Sequence, residues 1–315
     1  FLNWSAVDGK KYRIVGAFSG DDGQTWSPPE TLIDTPNMDD FDPNLVLTKD
    51  EIQIYSTTTH TPLKAVADSE TWKVSRRSDG SNWTKPVKIS QPHNYVCGKI
   101  HVGLTLPDGT LLMPYAWETA ADAGNPTTTE ASCNLRSGAL LSRDNGQTWK
   151  PSKDICADPP RTSDVATGGV CEPAMVLLEN GEIYALLRTA DVWHYESRSR
   201  DGGKTWSDAK PSPLRGHNSP AALWRLQGSA EVLVVWDNSS RNRRPLDVAL
   251  SEDNCKSWSK PKTLSNPADC EASYPSATQT ADGTMIVTWQ QGDPNHGNYE
   301  IHMARFNREW LLKSG

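Results

Sequence analysis

The feature that most constrains this chain is a motif that recurs. Residues 19–26 (SGDDGQTW), 142–149 (SRDNGQTW) and 199–206 (SRDGGKTW) all read Ser-x-Asp-x-Gly-x-Thr-Trp. Two further copies are degraded: residues 78–83 (SDGSNW) carry the aspartate out of place, and residues 251–258 (SEDNCKSW) put Cys255 where the glycine stands. One Asp-Gly corner is common anywhere, but three full copies ending in the same Trp are a repeat. In each copy the Ser and Asp side chains can bond backbone amides, the Gly takes a positive φ, and the Trp packs between neighbouring sheets. Trp26, Trp149, Trp206 and Trp258 should therefore occupy equivalent places, each buried beside its own hairpin.

Between the motifs the same order of strands returns. DPNLVLT, EIQIYSTTT and TWKVSRRS form one unit; KIHVGLT, TLLMPYAW and SGALLSRD a second; EPAMVLLE, EIYALLRT and HYESRSRD a third. SPAALWRL, EVLVVWD and LDVALSED follow, then PSATQTA, TMIVTWQQ and EIHMARF. Each unit reads as one antiparallel blade, and radial repetition leaves only short edges exposed. With the opening FLNWSA and YRIVGAFSGDDG counted as a blade, the expectation is an all-β, six-bladed β-propeller. Its blades have four antiparallel strands, and it forms a single domain over residues 1–315. The first blade is incomplete at the N-terminus, lacking its innermost strand, and the last stops after its third strand.

Thirteen Trp, 22 Gly and 22 Pro fit short strands joined by turns. The balance of 32 Lys plus Arg against 39 Asp plus Glu, a net charge of −7, argues against a nucleic-acid partner. No apolar run is long enough to span a membrane. The six Cys (97, 133, 156, 171, 255 and 270) lack metal spacing, so no metal or cofactor is implied and disulfides are expected. Cys255 with Cys270 is the first candidate pair, with further pairing among Cys133, Cys156 and Cys171. Disulfides imply a secreted, periplasmic or extracellular setting.

In a propeller the innermost strands run the same way about the axis, so the residues at their starts meet at one mouth of the channel. Those residues are Asp42, Asn44, Lys99, His101, Glu172, His217, Asn218 and Tyr274, a polar ring where a buried sheet normally begins with apolar side chains.

The repeats and this ring resemble the sialidase (neuraminidase)-like family of Asp-box, or BNR-repeat, proteins. The resemblance implies an exo-acting glycoside hydrolase that removes a terminal acidic sugar, most simply an α-linked sialic acid, with retention through a tyrosine nucleophile; such a nucleophile is the known exception to paired carboxylates. It implies Tyr274 as nucleophile, Glu172 as its activating base and Asp8, 11 positions before Ser19, as acid/base. Arg188, 16 positions after Glu172, and Arg243, eight before Ser251, correspond to two of three carboxylate-gripping arginines, with Arg244 a substitute for the latter. Asp42, Lys99, His101, His217 and Asn218 complete the expected substrate contacts. The family's first arginine has no counterpart: Arg13 lies in a similar Arg-Ile-Val but on the third strand of its blade. Such an arginine either lies upstream of Phe1 or the grip is incomplete. The implied partner is a glycan with a terminal acidic sugar.

Two other readings stay open. A polysaccharide lyase or hydrolase acting on uronic-acid glycans would use His217, Tyr274 and Lys99 or His101. A non-catalytic glycan-binding propeller would use Trp117, Trp193 and Trp236 as sugar platforms.

Overall fold

The computed structural model of the chain describes residues 1–8, 11–60, 68–119, 134–160, 168–293 and 298–313, with the side chains of Asp8 and Asn298 left aside. The backbone divides into two compact units. The first comprises Phe1–Ile155 with Cys171–Pro173 and Gly203–Thr205; the second comprises Cys156–Val170, Ala174–Gly202 and Trp206–Gly315.

The first unit holds three antiparallel sheets. One is β1 (Leu2–Asp8), β2 (Lys11–Ala17) and β3 (Glu30–Ile33). The next is β4 (Met38–Leu47), β5 (Glu51–His60), β6 (Glu70–Arg77) and β7 (Val87–Ile89). The third is built on β10 (Leu111–Glu118) and β11 (Asn134–Ser142), flanked by β8 (Val96–Cys97), β9 (Leu104–Thr105) and β12 (Lys150–Pro151).

In the second unit, after the two-residue β13 (Gly168–Gly169), one sheet runs β14 (Cys171–Leu177), β15 (Ile183–Arg188), β16 (Trp193–Ser199) and β17 (Lys210–Arg215). Another runs β18 (Ala222–Arg225), β19 (Val232–Asp237), β20 (Leu246–Ser251) and β21 (Lys262–Ser265). The last is β22 (Glu271–Gln279), β23 (Met285–Asp293) and β24 (Asn298–Phe306), followed by the short helix α1 (Arg308–Leu312). The six expected blades are thus six sheets, and the first and last have three strands each.

One strand departs from expectation. KIHVGLT is paired with β10 only at Leu104 and Thr105. Its earlier part turns to the preceding sheet instead: Gly103 N–H donates to the Leu45 carbonyl (2.7 Å) and Gly98 N–H to Asp42 Oδ2 (2.9 Å). The Asp42 carboxylate and the Leu45 carbonyl of β4 take the place of the ladder and hold residues 98–103 beside the second half of β4.

The repeat makes the corner it encodes. Ser19 Oγ donates to Asp21 (2.8 Å) and accepts from Gly23 N–H (2.7 Å), while Asp21 accepts from Thr25 N–H (2.8 Å) and Thr25 Oγ1 (2.6 Å). The Thr25 hydroxyl bond, first among several, holds the Asp21 carboxyl down at about 2. In the degraded copy Cys255 takes the glycine place at φ 60 and still donates its N–H to Ser251 Oγ (2.9 Å).

The terminal tryptophans are less uniform than expected. Trp149 is 8% exposed and meets Tyr55 of the preceding sheet edge-on at 5.5 Å, and Trp258 packs on the cluster of Val176, Leu186 and Leu214. Trp26 is 37% exposed.

The expected Cys255–Cys270 bridge is not formed. Cys255 is enclosed by the core under its corner, whereas Cys270 sits half-exposed in the segment leading into β22, so the thiols occupy different environments. Cys133 lies outside the described residues.

Candidate functional site

Sheets two to six share one backbone excursion near their first strands. Asp42 (φ 48°), Gly98 (65°), Glu172 (42°), Asn218 (45°) and Tyr274 (54°) all adopt the left-handed conformation. In β4 and β22 the pairing register shifts at this point, between Phe41 and Asn44 and between Ser273 and Ser276. A bulky side chain at positive φ costs on the order of 1–3 kcal/mol, and such strain gathers where a fold must aim a side chain. The four non-glycine members all belong to the expected polar ring.

In the second unit these positions bring together Tyr274, Arg188, Asn218 and Arg243. Arg188, 8% exposed at the end of β15, donates from Nε to Asn218 Oδ1 (3.0 Å) and from Nη1 to the Tyr274 hydroxyl (3.2 Å). Arg243 donates from Nη2 to the Asn218 carbonyl (2.8 Å), and its guanidinium carbon lies 5.3 Å from the centre of the Tyr274 ring. Asn218 therefore fixes both guanidinium groups, one through its side chain and one through its backbone. The two cations flank one phenol, an arrangement that favours negative charge on a ligand or on the phenol oxygen.

Behind Arg243 stands Glu271, which the sequence reading passed over. Its Oε1 lies 3.6 Å from Arg243 Nη1 and accepts from Ser273 Oγ (3.1 Å), Gln290 Nε2 (3.3 Å) and Tyr299 Oη (3.2 Å). Its place three residues before Tyr274, at the start of the same strand, was the available signal. Asp237 is also buried here, at the end of β19; burial raises its carboxyl well above the usual range, with the Arg243 charge opposing.

In the first unit the corresponding group is Asp42, Lys99, His101 and Glu172. Asp42 Oδ2 accepts from Gly98 N–H (2.9 Å) and Thr57 Oγ1 (3.0 Å), and Thr57 Oγ1 in turn accepts from Lys99 Nζ (2.6 Å). Gly98 approaches the Glu172 backbone so closely that a Cβ there would stand 3.1 Å from Glu172 N. Burial, opposed by Lys99, raises the Asp42 carboxyl, and the Glu172 charge adds to the rise. Lys99 has no exposed surface, and burial lowers it to about 8. His101, 7% exposed, is lowered by burial to about 4, and its Nε2 has no hydrogen-bond partner among the described residues.

The other expected residues have other partners. Arg244 donates from Nη1 to the carbonyls of Pro267 (2.6 Å) and Ala268, so it is committed to that loop and does not substitute for Arg243. His217 Nδ1 lies 3.2 Å from the Ser240 carbonyl, and burial lowers its ring pKa. The backbone of Asp8 ends β1 opposite Lys11, and Arg13 on β2 pairs with Ala6 of β1. Of the tryptophans considered as sugar platforms, Trp236 is 1% exposed and belongs to the core. Trp117 is covered by His93 at 3.8 Å, and Trp193 by the Arg215 guanidinium at 5.2 Å. No group of three metal-ligating side chains is present among the described residues.

A family model described as a BNR repeat-like domain matches residues 10–287. The chain belongs to the BNR repeat-like family. No curated protein matches it. Among solved structures it is similar to the Hadza microbial sialidase Hz136, with TM-score 0.77 and 17% identity over 98% of this chain and 62% of that one. The Trypanosoma rangeli sialidase in complex with the inhibitor DANA gives TM-score 0.74 and 18% identity over 97% of this chain and 52% of that one. The intramolecular trans-sialidase from Ruminococcus gnavus, in complex with oseltamivir carboxylate, gives 0.74 and 13% over 99% and 91%. The chain thus spans less than two thirds of the first two. At these identities the likeness fixes the fold of this BNR repeat-like chain: a six-bladed β-propeller of the sialidase type.

Proposed function

We propose that this BNR repeat-like protein is an exo-acting glycoside hydrolase that removes a terminal acidic sugar, α-linked sialic acid, with retention of configuration. The observation that carries the reading is the pair of arginines about Tyr274, with Arg188 on its hydroxyl at 3.2 Å and Arg243 over its ring at 5.3 Å. Two planar guanidinium groups suit a substrate carboxylate, which accepts parallel hydrogen bonds from each. Such a substrate repels a carboxylate nucleophile, whereas a neutral phenol approaches it without that charge penalty. The oseltamivir carboxylate complex of a structurally similar protein agrees with a carboxylate-bearing ligand.

In this mechanism the Tyr274 oxygen attacks the anomeric carbon while Glu172 takes the phenol proton, and the glycosidic oxygen leaves with a proton from Asp8. Water then attacks the tyrosyl-linked sugar, Asp8 takes the proton of that water, and the phenol recovers its own from Glu172. Two inversions give net retention. Asp42, with its carboxylate held by Thr57 and Gly98, contributes an acceptor for a sugar hydroxyl. The test is release of the fluorophore from a fluorogenic α-sialoside. Wild-type protein turns it over and Tyr274→Phe loses at least about a thousandfold in kcat/KM. A wild-type protein inert on sialosides, or a fully active Tyr274→Phe, contradicts the reading.

A further inference from the structure

Among the described residues of the first unit Lys99 is the largest charged side chain with no exposed surface, and nothing in the mechanism above uses it. Its ammonium donates to Thr57 Oγ1 at 2.6 Å and to the Val96 carbonyl at 3.3 Å. Thr57, itself 2% exposed, uses its single proton to donate to Asp42 Oδ2 at 3.0 Å. The hydroxyl is thus polarised in one direction, accepting from a cation and donating to a carboxylate, and each bond strengthens the other. Gly98 N–H aims a second donor at the same oxygen, at 2.9 Å. Asp42 is half-buried while Lys99 and Thr57 are buried, so of the three residues it is Asp42 that meets the surface.

We propose that Lys99 and Thr57 are positioning residues that fix Asp42 as an oriented, anionic acceptor for a substrate hydroxyl group. This rests on the assignment of Asp42 to sugar binding above. A free aspartate on a strained bulge rotates, and a partly buried one tends to take up a proton. The Lys99–Thr57 relay opposes both by supplying a counter-charge and a directional bond to Oδ2, leaving Oδ1 to the sugar. The charged and titratable groups facing this relay are Asp42 and Cys97 toward Lys99, Glu172 toward Asp42, and His101 toward Glu172.

The experiment compares Thr57→Val, Thr57→Ser and Lys99→Met on a fluorogenic α-sialoside. Thr57→Val removes the hydroxyl at nearly constant volume and raises KM about tenfold with kcat within about twofold, as loss of a charge-assisted bond to a binding group predicts. Thr57→Ser restores the hydroxyl and the wild-type KM. In the wild type KM rises as the pH passes about 8, where Lys99 loses its proton, and Lys99→Met holds the higher KM at every pH. If Lys99→Met fails to fold, the Thr57 pair decides. Wild-type turnover with an unchanged KM in Thr57→Val, or an equal defect in Thr57→Ser, overturns this inference alone. Absence of wild-type turnover overturns it together with the reading it rests on.

Discussion

Arg188 donates from Nη1 to the Tyr274 hydroxyl at 3.2 Å although 86 positions separate them, and its Nε is held at the same time by Asn218 Oδ1 at 3.0 Å. A lysine gathers its donors on one nitrogen and lacks the planar fork whose Nε and Nη1 reach the two partners separately. Arg188→Lys is therefore expected to lose about 1–3 kcal/mol of substrate binding, read as a rise in KM on a sialoside of about five- to 150-fold with smaller change in kcat. An equal loss in kcat at constant KM would place Arg188 in the transition state instead.

Asn218 separates strain from contact. Its φ of 45° is one a glycine adopts freely and an alanine does not. Asn218→Gly and Asn218→Ala both remove the bond to Arg188 and should weaken substrate binding alike. In chemical denaturation Asn218→Ala should be less stable than Asn218→Gly by about 1 kcal/mol. Equal stabilities would mean that the left-handed conformation is not imposed by the surrounding strands.

The corner at Gly146 is a firmer test of the repeat. Its φ is 75°, and a Cβ there would stand 2.2 Å from the Tyr55 hydroxyl and 2.7 Å from Gln53 Oε1. Tyr55 is fully buried and braced by Trp149, so it cannot yield. Gly146→Ala is expected to cost about 2–4 kcal/mol of unfolding free energy. A cost below about 1 kcal/mol would show that the corner adjusts.

His101 gives the fold a pH dependence. Burial lowers its ring to about 4 from the ordinary 6.5, so as the pH falls through that window the unfolded chain takes up the proton first and stability declines. The loss is of order 3 kcal/mol when complete. His101→Gln removes the titration, and its unfolding free energy should fall less steeply between pH 6.5 and 4 than that of the wild type. Parallel curves would contradict the buried neutral imidazole.

Much of the fold is legible from the sequence because the corner motif is local: the serine, aspartate and threonine that bond one another lie within six residues, as Ser19, Asp21 and Thr25 do. The broken strand at residues 98–103 was not legible, because its partners lie on β4 more than 50 positions away. The starts of the inner strands named Tyr274, Asn218, Glu172 and Asp42, since one offset repeats. Glu271 and Thr57 escaped because each acts through another residue. A carboxylate beside an alanine, or a threonine within STTT, carries no spacing signal of its own. Trp236 misled because its burial depends on the packing of its sheet against Val176 and Leu186.

The central claim, that Tyr274 is the nucleophile, is tested most directly by trapping. A fluorinated sialosyl fluoride that forms but slowly hydrolyses the glycosyl-enzyme bond should add one sugar mass to the protein, and peptide sequencing should place that mass on Tyr274, with none in Tyr274→Phe. An adduct on any other residue, or an equal adduct in Tyr274→Phe, would contradict the account.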